Sequence, residues 1–463
     1  MKKRFVCFLT AIVTALCACA CLIGCGGEPD DGRTKINFYF YEAGYGAGWA
    51  ETLAARYNAS QSEVRVVPYG DYEMFSLAQN EITRGTDLAD IYTLTSVEEL
   101  SRGGYLEDLG DLYGRTVENI DGKDYTLDDL VDDYAKNDST INGVTYSVPW
   151  FGNNMSIVYN AAMFENNGWE IPETMTEFFD LCYKIKDAGI DPLVFCGSTD
   201  QGYIPTLLDT WLWQAEGDVN MEEFLKFESA EVYKNQEASR TKIYDTIARM
   251  VKDEKVYKKG SNAYNNQQAQ REFIMGNAAM IVNGAWISNE MSALLADYPS
   301  FRMAIMNIPH INDDKKGRDG TDTSNILVKS STHFVIPKNA PHKEEAKDFL
   351  VWLSRQENLQ TFADECNGTV RPYKLIHPNT DNLTEFGKSV FEVATTTRPV
   401  VYESDAAIYK RGYVGLFMAA SGEYVTNLIT QPDLSAARAQ ANVLAKQDYT
   451  IAKNTFETWA GRL

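Results

Sequence analysis

Lys35-Ile36-Asn37-Phe38-Tyr39-Phe40-Tyr41, Val64-Arg65-Val66-Val67-Pro68 and Ala89-Asp90-Ile91-Tyr92-Thr93-Leu94 are three short runs rich in apolar and aromatic residues, and the way they are spaced decides the fold. The first alternates polar and apolar side chains, the period-two pattern of a strand with one buried face. Between it and the second run, Trp49 to Asn58 reads as a helix. Between the second and third, Asp71-Tyr72-Glu73-Met74 opens a helix that reaches about Thr83, and Val97 to Arg102 forms a short helix after the third. The order β-α-β-α-β predicts an α/β fold with a parallel sheet and right-handed crossovers. In such open sheets ligands gather at the carboxyl ends of the strands. The loops Tyr41-Glu42-Ala43-Gly44-Tyr45, Tyr69-Gly70-Asp71-Tyr72 and Thr93-Leu94-Thr95-Ser96 are therefore the first candidates for a site.

Upstream, Met1-Lys2-Lys3-Arg4 is basic and Phe5 to Gly24 is uncharged and apolar, ending at Leu22-Ile23-Gly24-Cys25. A basic start, an apolar core and a small residue before the cut define an export signal. Leu22 to Cys25 also resembles a bacterial lipobox, which predicts that residues 1–24 are removed and that Cys25 carries a lipid. The alternatives are an uncleaved anchor, since the stretch is long enough to span a bilayer, and cleavage at Cys21, where Ala18-Cys19-Ala20 lacks the large aliphatic residue expected before the cut. Residues 25–34, Gly- and acid-rich, read as a linker. Of 463 residues, what remains is too long for one hydrophobic core, so at least two lobes are expected.

Downstream, Val148 to Tyr159 contains Pro149-Trp150-Phe151-Gly152-Asn153-Asn154, an aromatic and amide cluster before a strand at Ser156 to Tyr159. Thr174 with Glu177 three residues later is a capping box, with Phe178, Leu181, Cys182 and Ile185 as the apolar face of the helix it starts. Pro192 to Cys196 reads as a strand, Pro205 to Glu254 as a long helical region, Phe273 to Asn283 as helix-turn-strand and Phe334 to Pro337 as a strand. Glu344 to Ser354 and Gln356 to Cys366 are amphipathic helices, and Leu434 to Leu463 is helical. Residues 119–125 and 311–325 read as polar loops, and the second lacks the spacing of a calcium-binding EF-hand.

The chemistry is bounded largely by what is missing. The sequence has no nucleophile elbow, zinc-protease helix or phosphate-binding loop. The four histidines lack metal-ligand spacing, so no metal or other cofactor is expected. Gly44-Tyr45-Gly46-Ala47-Gly48 lacks the last spacing of a dinucleotide loop. A net charge of −22, more acidic once the basic leader is gone, argues against nucleic acid and against an electrostatic grip on anionic membranes. It suits an uncharged or cationic ligand. Cys182, Cys196 and Cys366 show no CxxC spacing and read as buried thiols, with a Cys182–Cys196 bridge as the alternative. The tyrosines and polar groups that recur after three strands suit a sugar. A pyranose offers an apolar C–H face to a ring and a rim of hydroxyls to acids and amides.

Four stretches resemble the extracellular solute-binding proteins of ABC importers, the carbohydrate class that includes maltose-type binders. They are the lipobox; Ser156 to Asn160 through Phe164-Glu165-Asn166-Asn167-Gly168-Trp169, Pro172 and Glu177-Phe178; Phe273 to Met280 with Asn283-Gly284-Ala285-Trp286; and Ala346 to Leu350 with Arg355-Gln356-Glu357. A narrower similarity, in Asn166 to Trp169, Lys184 to Leu193 and Asn283 to Met291, is to N-acetylglucosamine and chitobiose binders, and other oligosaccharides stay open.

The resemblance implies a two-lobed, periplasmic-binding-protein-like type II fold with hinge-crossing strands. It places lobe 1 at 35–150 and about 330–375, and lobe 2 at 151–329 and about 376–463. It implies a sugar-binding cleft formed by Tyr41, Glu42, Tyr45, Asp71 and Thr95 from first-lobe loops, Trp150 and Asn153 at the first crossing, Tyr203, Gly284 and Trp286 in the second lobe, and Arg371 and Tyr413 late in the chain. It further implies a monomer that catalyses nothing and partners ABC permease subunits. The other readings are a lipid-anchored glycosidase or lyase, a polysaccharide adhesin, and a peptide- or metal-binding importer subunit.

Overall fold

The structure is a computed structural model and describes residues 31–152, 155–199, 203–329, 331–400 and 423–460. Its strands are β1 (Thr34–Tyr41), β2 (Val64–Asp71), β3 (Tyr92–Leu94), β4 (Thr116–Ile120), β5 (Lys123–Thr126), β6 (Thr140–Ile141), β7 (Val144–Thr145), β8 (Val148–Gly152), β9 (Met155–Asn160), β10 (Leu193–Val194), β11 (Met280–Gly284), β12 (Met303–Met306), β13 (Ile326–Val328), β14 (Ser331–Val335) and β15 (Arg398–Val400). The helices that position the site are α1 (Gly48–Ser60), α2 (Met74–Arg84), α3 (Asp133–Asp138), α4 (Met175–Asp187), α5 (Pro205–Glu216), α6 (Glu237–Lys252), α7 (Asn266–Ile274), α8 (Ile287–Glu290), α9 (Lys343–Leu353), α10 (Gln356–Glu365), α11 (Glu385–Thr396) and α12 (Leu434–Ala460).

The opening β-α-β-α-β builds the first sheet. β1 and β2 pair in parallel from Thr34↔Val64 to Tyr41↔Asp71. A parallel bridge between Phe38 and Ile91 carries β1 to β3, and β3 continues through β14 to β8. The strand order is thus β2-β1-β3-β14-β8, with β14 returning from far along the chain to lie antiparallel between its neighbours. As the alternation predicts, Ile36, Phe38 and Phe40 are buried. Phe38 meets Trp49, Phe334 and Phe349 edge-on at 6.1, 5.1 and 5.5 Å between ring centres. Each fully buried ring of this kind contributes about 1.5–3 kcal/mol by leaving water.

The second sheet has the order β10-β11-β9-β12. β11 and β12 both run antiparallel to β9. α12 packs along α6, and a fully buried ion pair holds them together. Arg240 Nη1 donates to Asp448 Oδ2 at 3.0 Å, Tyr244 Oη to the same oxygen at 2.7 Å, and Arg240 Nε and Nη2 to Gln236 Oε1. A buried charge is tolerable only when its hydrogen bonds are met in this way. The chain passes from the first sheet to the second between β8 and β9, and re-enters the first sheet at β14 after β13, which pairs in parallel with β15.

Three expectations are refined. The polar segment 119–125 is the turn of a β4–β5 hairpin, because Asp121 and Gly122 take φ of 52° and 82°, the two-residue turn that matches strand twist. The third strand contracts to Tyr92–Leu94. The helical region 205–254 is broken by Gly217 (φ 84°) and Phe227 (φ 43°). Cys182, Cys196 and Cys366 are buried thiols outside any disulfide, so no Cys182–Cys196 bridge forms.

Candidate functional site

In the first sheet the parallel strands end together, and the loops after them share one edge. Tyr41, the last residue of β1, stacks on Phe75 at 4.3 Å and 26°. Glu42 follows, and its carboxylate lies against Gly70, where a Cβ would stand 2.8 Å from Glu42 Oε2, so a larger residue would push the acid away. Asp71 is committed locally: Oδ1 accepts from the Glu73 amide at 2.6 Å and Oδ2 from the Tyr69 hydroxyl at 3.1 Å. It sets the start of α2 and orients Tyr69. Thr95 is exposed at the end of β3. Tyr45 turns inward, packs 6.1 Å from Phe362, and burial pushes its phenol above the ordinary range.

The second sheet presents a matching edge. Gly284 ends β11 against Met155, the start of β9. Two residues on, Trp286 folds its indole back over Gly284: a Cβ there would fall 2.1 Å from Trp286 Cζ3. Glycine is required at 284 because the ring occupies that space. Tyr203, held at φ 57°, meets Trp286 edge-to-face at 5.9 Å and 77°, and its hydroxyl accepts from Asn266 Nδ2 at 2.8 Å. Glu290, at the end of α8, accepts from Gln270 Nε2 at 2.7 Å.

The two edges touch. Asn289 Nδ2 donates to the Tyr45 carbonyl at 3.3 Å, and Asn367 Nδ2 donates to Asn289 Oδ1 at 2.5 Å. A Cβ on Gly44 (φ 83°) would sit 3.0 Å from Trp286 Cβ. The structure therefore brings the backbone of Gly44 and Tyr45 beside Gly284, the rings of Tyr203 and Trp286 and the amides of Asn289 and Asn367, while the Tyr45 ring itself packs into the core.

Trp150 is a correction. Its indole is 1 % exposed, between Trp49, Phe334 and Phe362, with ring centres at 5.3, 4.6 and 5.6 Å. It is a core residue here and offers no stacking face. Arg371 is 4 % exposed, its guanidinium against the Trp150 and Phe362 rings. Asn153, Tyr413 and Cys25 lie outside the described residues. Sequence reasoning passed over Asn266, Gln270, Asn289 and Asn367; Asn289 lay inside a stretch already singled out, but an amide carries no local signature that separates contact from solvation.

Ser147 Oγ lies 3.0 Å from His333 Nδ1, and His333 Nε2 3.2 Å from Asp138 Oδ2. This order imitates a hydrolase triad, yet Ser147 is fully buried and His333 is 1 % exposed. A nucleophile needs a substrate within reach, and here the buried chain of bonds ties β14 to α3. Among the described residues no cluster of three or more His, Cys, Asp or Glu could hold a metal ion, and no helix is long and apolar enough to cross a membrane.

A family model described as bacterial extracellular solute-binding protein matches residues 41–360. Comparison with curated protein sequences finds no match. Among solved structures, the bacterial solute receptor AcbH, described as having an exclusive preference for β-D-galactopyranose, superposes with a TM-score of 0.68 at 18 % identity, covering 91 % of this chain and 100 % of its own. RafE from Streptococcus pneumoniae gives 0.67 at 18 % identity over 92 % and 100 %, and is also described in complex with raffinose. A protein from work on xylan utilization by the thermophilic bacterium Caldanaerobius polysaccharolyticus gives 0.65 at 15 % identity over 90 % and 99 %. These likenesses establish the fold, the two-lobed α/β architecture of periplasmic solute-binding proteins.

Proposed function

The chain belongs to the bacterial extracellular solute-binding proteins, and from that premise we propose that it captures a sugar or short oligosaccharide between its lobes and presents it to the permease of an ABC importer. The observation that carries this reading is the Tyr203–Trp286 pair at the carboxyl end of β11, next to Asn289, which reaches across to Tyr45 and Asn367. A pyranose placed on the indole face meets amide and carboxylate partners from both lobes, so one ligand reports its presence to both. Lobe 1 comprises 35–150 and about 330–375, and lobe 2 comprises 151–329 and about 376–463, in keeping with the membership of the two sheets. Lipidation at Cys25 keeps a monomeric receptor on the outer face of the cell membrane, without cofactor or catalysis.

A thermal-shift screen of mono- and disaccharides, followed by calorimetry on the hits, tests the proposal. A ligand at about 100 times its dissociation constant adds roughly 2.7 kcal/mol to stability. Trp286→Ala is expected to weaken the best sugar about tenfold, or 1.4 kcal/mol. Unchanged affinity for every saccharide would contradict the placement of the site. Release of shorter products from labelled oligosaccharides would instead place the chain among glycosidases or lyases.

A further inference from the structure

A second cavity opens where the lobes join. It has a volume of about 380 Å³ and is walled by residues 132–134 and 370–375 of the first lobe and 391–399 of the second, with Lys329 from the crossing segment. That size lies within the range of small-ligand pockets.

Its charge runs against the rest of the molecule. In a chain of net charge −22, the described lining residues include Lys329, Arg371 and Lys374 against one carboxylate, Asp132. Lys374 is exposed, whereas Lys329 and Arg371 are 6 % and 4 % exposed. Lys329 Nζ donates to the Ala394 carbonyl at 2.7 Å. Among the described residues, none of the three guanidinium nitrogens of Arg371 has a hydrogen-bond partner. Aromatic faces at Trp150 and Phe362 offset part of the cost, but a buried cation with no anion among the described residues remains costly. Burial draws the Lys329 ammonium down to about 8 even with Asp132 beside it, and burial raises Asp132. Among the described lining residues, two buried cations and one half-buried acid leave one positive charge to be met, which one carboxylate would balance.

We propose that this inter-lobe cavity is a carboxylate-binding site. Resting on the sugar-receptor reading, the uronate of an acidic saccharide is one source of that carboxylate. The same chemistry could be met by a free small carboxylate seated at the hinge.

Calorimetry on the mature protein at pH 7 with digalacturonate, its neutral methyl ester, N,N′-diacetylchitobiose and acetate distinguishes the sources. The acidic disaccharide is expected to bind at least tenfold tighter than its ester. Lys329→Met should cut that binding about tenfold and Asp132→Asn should strengthen it; a merely structural disturbance would not give opposite signs. Acetate binding with the same two signs, but no preference for acid over ester, supports the site with a free carboxylate as its occupant. If neither digalacturonate nor acetate responds to these substitutions, the site is overturned. Retained binding of a neutral sugar that depends on Trp286 would then leave the receptor reading standing. Loss of all saccharide binding while acetate still binds would break the receptor reading alone.

Discussion

His310 has both ring nitrogens engaged inside the second lobe: Nδ1 accepts from the Asn312 amide at 2.9 Å, and Nε2 pairs with Thr323 Oγ1 at 2.9 Å. Burial lowers its pKa from 6.5 to about 4. The unfolded chain therefore takes up a proton that the folded chain refuses. The stability associated with neutral His310 is complete above pH 6.5 and is lost as pH falls toward 4. Asp209, raised by burial to about 7, acts in the opposite sense: its contribution is present below its unfolded pKa and is lost as pH rises through 7. Comparing wild type with His310→Gln separates the two. The variant is expected to lose less melting temperature between pH 6.5 and 4, and an identical acid slope would refute the assignment. At this scale legibility was uneven. Trp286 stood out only through the resemblance carried by Asn283-Gly284-Ala285-Trp286, because no local periodicity directs its indole. Trp150 was not legible as core: it shares a strand face with Val148 two residues earlier, and tryptophan suits a core or a cleft equally, so only the position of α1 and α10 decided.

Elements with strong local chemistry read well. The capping box at α4 forms as expected: Glu177 N donates to Thr174 Oγ1 at 3.2 Å and Thr174 N to Glu177 Oε2 at 3.3 Å. Thr174→Ala should cost about 1 kcal/mol in denaturant unfolding, and a change of a few tenths or less would show that tertiary packing alone holds the helix. The β4–β5 hairpin was hidden because its strands lack a long apolar alternation and only Asp121-Gly122 marks the turn. The breaks in the 205–254 region come from tertiary contacts. Gly217 admits the Asp319 carboxylate where a side chain would stand, and Asp319 Oδ2 accepts from the Val219 amide at 2.8 Å. The partner lies about 100 residues away in sequence.

For the whole molecule, the first three strands announced a parallel sheet, yet nothing in 331–335 declares that this strand returns to lie between β3 and β8. That insertion makes the chain cross between lobes more than once, and a crossing is a matter of topology that local periodicity does not encode. Strands that cross between lobes in this way are what a hinge closure would turn about. Asn289 bonds both the Tyr45 carbonyl and the Asn367 amide, joining segments of the two expected lobes. Small-angle X-ray scattering of the mature protein, with and without a saturating sugar identified by calorimetry, measures such a closure directly. A smaller radius of gyration is expected with ligand, and a smaller contraction in Trp286→Ala at the same sugar concentration. A scattering curve unchanged by a saccharide shown to bind would contradict the two-lobed clamp.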